Sequence, residues 1–159
     1  IEIDNDSGRA VYREAGFRLD GDAAGFLTID GLGSAFPGAL VLLDGSTVSL
    51  MANNGSLFSF SSLAAGALDP LGGASLSITG IFGDSSQRNL MLALGELGAF
   101  TPSMWTGLSE LRFAASGDLV IDDIGVDAAD VPEPGSIAML LLGMGMLAGV
   151  RRRAVRKAS

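Results

Sequence analysis

Neither histidine nor cysteine occurs among the 159 residues. That removes Ser-His-Asp and Cys-His nucleophiles, along with any zinc site built on imidazole or thiolate. It also removes disulfide staples, so burial alone must hold a folded body together. The chemistry left to this chain is oxygen chemistry, carried by 18 Asp and Glu residues. Two convergent carboxylates could run a glycosidase, but Trp105 and Tyr12 are the only good platforms for stacking a sugar. Asp122 and Asp123 interrupt the apolar run 119–126, where acids are disfavoured in a strand. Neighbouring strand residues face opposite sides, so at most one of the two is expected to point inward. Arg9, Arg13 and Arg18 surround Tyr12 and could take an acidic glycan, but they alternate with Glu14, Asp20 and Asp22. A solvated face is the simpler expectation.

Charge narrows the partners. Residues 1–130 hold five arginines against seventeen acids, a net charge of −12. Such a body does not bind nucleic acid or anionic lipid by electrostatics; calcium and neutral glycans stay open to it. The basic residues that remain sit at the C-terminus, and their setting is specific. Val131, Pro132, Glu133 and Pro134 form a stiff strip, because each proline fixes its own φ and pushes its predecessor towards an extended backbone. An uncharged apolar run follows over 137–150, including Ile137, Leu140, Leu141, Leu142, Met146, Leu147 and Val150. Arg151, Arg152 and Arg153 then open a basic tail. A helix over those fourteen residues is roughly 21 Å long, marginal against the roughly 30 Å hydrocarbon core unless arginines snorkel or the bilayer thins. The basic cluster predicts a cytoplasmic C-terminus.

The order Val-Pro-Glu-Pro, short apolar helix, arginine cluster resembles the PEP-CTERM sorting signal of bacteria with an outer membrane. The resemblance implies recognition by an exosortase, a membrane transpeptidase with a cysteine nucleophile that cuts near the Pro-Glu-Pro strip. It assigns Val131, Pro132, Glu133 and Pro134 to recognition, 137–150 to the anchor and Arg151–Arg153 to stop-transfer. The protein is then expected at the inner membrane during sorting and afterwards in the envelope or outside the cell. The expected division is an ectodomain over 1–127, a linker over 128–136, a transmembrane helix over 137–150 and a cytoplasmic tail over 151–159. Export also requires a leader, expected upstream of Ile1.

The elements that must position the body's side chains are strands. Residues 74–79 alternate with period two, as do 48–50 and 58–60. Strands are also expected over 26–29, 39–43 (buried on both faces), 90–94, 108–113 and 119–126. Asp20-Gly21, Asp30-Gly31, Asp44-Gly45, Asn54-Gly55 and Gly72-Gly73 read as the turns between them. The prediction is an all-β antiparallel sandwich, jelly-roll-like, followed by the linker and a single short transmembrane helix. Trp105, after residues 101–104, is expected on a loop, either plugging one end of the sandwich or offering a sugar platform.

Residues 55–126 resemble ectodomains that precede PEP-CTERM signals and, more loosely, galactose-binding-like β-sandwich modules, the closing strand being matched by Asp122-Asp123-Ile124. That resemblance implies a structural calcium held by Asp122 or Asp123 with Glu2 or Asp4, which carbonyls and water would complete to six or more oxygens. No other cofactor is expected. The function implied is a non-enzymatic surface or exopolysaccharide-associated protein, with a carbohydrate-binding module as the alternative and a two-carboxylate glycosidase behind it.

Overall fold

The computed structural model describes residues 2–4, 9–22, 24–29 and 39–128. The chain divides into two units, Ile1–Ala129 and Asp130–Ser159, and the described residues all belong to the first. They form twelve strands: β1 (Glu2–Asp4), β2 (Arg9–Glu14), β3 (Phe17–Asp22), β4 (Phe26–Ile29), β5 (Ala39–Leu42), β6 (Thr47–Ala52), β7 (Phe58–Ala67), β8 (Ala74–Phe82), β9 (Gln87–Leu94), β10 (Gly98–Phe100), β11 (Trp105–Ser116) and β12 (Leu119–Ala128). Every strand pairing is antiparallel.

One sheet runs β9-β8-β11-β6-β3-β2-β1 and the other β10-β7-β12-β5-β4. They join at the start of β11. Trp105 and Leu108 pair with Phe60 and Phe58 of β7, whereas residues 111–114 pair with β6 on the same edge. β11 thus changes partner along its length and turns the hydrogen-bonded surface back on itself. The result is the all-β antiparallel sandwich that alternation predicts.

The core lies between the sheets. Phe17 of β3 meets Phe58 of β7 edge to face at 5.5 Å, one contact across the layers. Phe58, Phe60, Phe113, Leu63, Leu76, Ile78, Leu111 and Leu119 are fully buried around it. Each such side chain contributes about 1.5–3 kcal/mol when fully buried. The alternation is visible in β8, where Leu76, Ile78 and Gly80 face in while Ser77 and Thr79 are half-buried outside. β5 is buried on both faces: Leu40 and Leu42 join the main core, and Ala39 and Val41 form a small second cluster with Val120.

Two expectations are corrected. Asp20-Gly21 is not a turn but part of β3, pairing with Val11 and Ala10 on one side and Ser49 and Val48 on the other. The turn is Ala15-Gly16, which takes the left-handed conformation at φ 47° and 85°. Gly21 is instead buried within the sheet. Trp105 lies not on a loop but at the first position of β11. The turns at Asp44-Gly45, Asn54-Gly55 and Gly72-Gly73 are present, and Asp30-Gly31 lies outside the described residues.

Among the described residues no helix is long and apolar enough to cross a membrane. The apolar run 137–150 lies outside them, as do the Pro-Glu-Pro strip and the arginine cluster.

Candidate functional site

At the edge of the sandwich where β9 ends one sheet, a cleft of about 350 Å³ opens between β9 and the segment joining β10 to β11. From β9 it takes Arg88, Asn89, Leu90 and Leu92; from the other wall it takes Phe100, Thr101, Pro102, Ser103 and Trp105. The sheet alternation explains this lining. Arg88, Leu90 and Leu92 share the inward face of β9, and Leu90, Leu92 and Phe100 pack on the core from its rim.

Trp105 is 3 % exposed. Its ring meets Phe60 edge on at 5.9 Å and lies against Gly80, where an added Cβ would sit 2.6 Å from the indole Cε3. Gly80 is the register partner of Arg88. The missing Cβ on β8 therefore makes the space that Trp105 fills, and Arg88 on β9 closes over the top. The Arg88 guanidinium carbon stands 5.9 Å from the Trp105 ring centre and 5.7 Å from that of Phe82, cation–π range for both. So Trp105 underlies the cleft and carries its cation, and little of the indole is open to a ligand.

The arginines elsewhere in the body have other contacts. Arg9 Nε donates to Asp20 Oδ1 at 2.7 Å across β2 and β3. Arg112 donates to Glu110 Oε1 at 2.8 Å, and Glu110 also accepts from Ser49 Oγ at 2.6 Å. Arg18 leans on the Met51 sulfur at 3.7 Å. Arg88 has no carboxylate or carbonyl partner among the described residues.

The sequence-derived site residues fall in separate places. Asp122 is half-buried and Asp123 exposed, on a bulge of β12 where Asp123 takes φ 47° and donates its N–H to Asp122 Oδ1 at 2.8 Å. β1, which bears Glu2 and Asp4, ends the other sheet and pairs with β2; those two side chains lie outside what the structure describes. No group of three or more acids is gathered for a metal ion among the described residues. Tyr12 is half-buried on β2 and packs on the core. Asp122 and Asp123 are not among the residues that line the cleft with Trp105. Sequence reading missed Arg88, Asn89, Phe100 and Ser103. One signal was there: Arg88 is the single basic residue between Arg18 and Arg112.

Comparison with protein families matches residues 130–156 to the PEP-CTERM protein-sorting motif. The match covers the Pro-Glu-Pro strip, the apolar run and the arginine cluster as one unit. This chain carries a PEP-CTERM sorting motif. The PEP-CTERM assignment concerns the tail alone, and no curated protein matches the chain. Among solved structures, the body is similar to TmCBM61 in complex with beta-1,4-galactotriose, at 12% identity and a TM-score of 0.43 over 70% of this chain and 88% of that one. It is also similar to a pectin binding carbohydrate binding module, at 14% identity and 0.42 over 59% and 74%. A third likeness is the Family 11 Carbohydrate-Binding Module from Clostridium thermocellum with a mixed-linked tetrasaccharide, at 8% identity and 0.39 over 77% and 89%. At these values no ligand carries over to this chain.

Proposed function

We propose that this chain is an exported, non-enzymatic surface protein, sorted by an exosortase through its tail, whose sandwich binds glycan of the envelope or exopolysaccharide matrix. The observation that carries the sorting half is the PEP-CTERM match over 130–156. In this reading the 137–150 run holds the protein in the inner membrane while Arg151, Arg152 and Arg153 stay cytoplasmic. The extended Pro132-Glu133-Pro134 strip then offers the exosortase a narrow, accessible backbone. Cutting there releases the sandwich, residues 1–127 with the start of the linker, to the far side.

Support for the glycan half is the cleft. It combines an apolar wall (Leu90, Leu92, Phe100) with neutral hydrogen-bonding groups (Asn89, Thr101, Ser103), the mixture that a sugar's CH faces and hydroxyls require. The sequence has no His or Cys, and none of the residues lining the cleft is a carboxylate that could serve the two-carboxylate glycosidase alternative.

Replacing Pro132, Glu133 and Pro134 together by alanine tests the sorting half in cells that own the exosortase. The parent protein is expected in envelope or medium fractions, and the variant in the inner-membrane fraction. Identical distribution of the two would remove exosortase sorting from this account.

A further inference from the structure

We infer that Arg88 makes the cleft selective for acidic sugars: the ligand is a uronic-acid glycan whose carboxylate is held by the Arg88 guanidinium. This rests on the glycan reading above and adds the charge class to it. Three observations carry it. Arg88 lies at an open sheet edge on the face of β9 that carries Leu90 and Leu92, and although exposed it lines the cleft together with Asn89. Its guanidinium carbon lies over the rings of Phe82 and Trp105, at 5.7 and 5.9 Å, which restrains a long side chain that would otherwise lose more freedom on binding. And in a body of net charge −12 it has no carboxylate partner among the described residues.

A guanidinium presents five N–H donors in a fork that matches a carboxylate with two parallel bonds. Here that fork stands beside neutral groups and a half-buried phenyl ring, in a space with room for roughly one or two sugar rings. An acidic peptide could meet the cation too, but the neutral polar groups and the small volume of the cleft favour a ring with hydroxyls. A simpler role also exists, since an inward-pointing charge on an edge strand discourages pairing with another sheet. Lysine would serve that role as well as arginine; it would not supply the fork.

The test is calorimetric titration of the full 159-residue chain in detergent micelles. The probes are tetrasaccharides of glucuronate, galacturonate, mannuronate and guluronate, the carboxyl-reduced counterpart of each, and a hexaglutamate peptide. The expected result is binding of at least one uronate, weakened about tenfold or more by carboxyl reduction and by Arg88→Gln, the range of a hydrogen bond to a charged group. Arg88→Lys should retain only part of the affinity, and both variants should stay folded, their melting temperature lowered by no more than the loss of exposed cation–π contacts. Equal binding of acidic and reduced sugars, or binding unchanged in Arg88→Gln and Arg88→Lys, overturns the role of Arg88 and leaves glycan binding standing. Hexaglutamate bound more tightly than every uronate overturns the sugar assignment. No glycan bound at all removes this inference and the glycan reading together.

Discussion

Gly80 shows how a single absent Cβ shapes the cleft. Trp105 and the Leu108 Cδ2 both occupy the place where that Cβ would be, at 2.6 and 2.9 Å. Gly80→Ala must push the indole or the strand, so it should destabilise by about 1–3 kcal/mol, as overpacking does, and shift tryptophan fluorescence to the red; urea unfolding and an emission spectrum check both. None of this was legible beforehand, because a glycine inside a period-two pattern gives no sign of which distant ring will lean on it. Asp84 is the second residue whose chemistry is altered. Hydrogen bonds donated by the Ser86 hydroxyl and the Ser86 N–H hold its carboxyl below the ordinary value of 3.8. The folded value being depressed, the turn gains stability above the unfolded value and loses it as pH falls through the folded one. Chemical-shift titration of the Asp84 carboxyl should therefore place its midpoint below 3.8, and Ser86→Ala should raise it.

At the scale of elements, the most informative pair is β7 with β12. β7 buries Phe58 and Phe60, then Leu63 and Ala65, so its apolar phase shifts at Ser61-Ser62. β12 buries Leu119 and Ile121, then packs Ile124 and Val126 on the core, shifting at Asp123. The register shifts on both strands meet at Gly125, opposite Ser62, where a Cβ would overlap both serine hydroxyls. Each strand carries one extra residue and the two offsets cancel, so pairing resumes at Val126 and Phe60. The Asp-Asp pair that reads as a misfit in a regular strand is at home on this bulge, which sends Asp123 out to solvent. Because Asp123 sits at φ 47°, Asp123→Val should destabilise measurably while Asp123→Gly is tolerated. Thermal melts of the two variants decide it.

Strands with clean alternation, such as β8 and the start of β7, were readable from sequence for the same physical reason that they fold: one face is apolar. The β2–β3 hairpin was not. Val11 breaks the alternation of β2 by sitting on the outer face between Arg9 and Arg13, and Asp20-Gly21 imitates a turn within β3. The cleft was half legible. Trp105 stood out by its rarity, but its burial beneath Arg88 depends on pairings between β8, β9 and β11 that no local pattern encodes.

For the molecule as a whole, the account joins two independent parts: a sandwich held by burial alone, and a tail that addresses it. With no cysteine in the chain, reductant should leave the melting temperature unchanged, whereas Phe113→Ala, at a fully buried site, should cost about 3–5 kcal/mol. The tail's central claim is tested most directly by the intact mass of the mature protein, recovered from cells with and without their exosortase. The account predicts a C-terminus near Pro132–Pro134 only when the enzyme is present. A C-terminus at Ser159 in both strains would contradict it, leaving the apolar run as a permanent anchor.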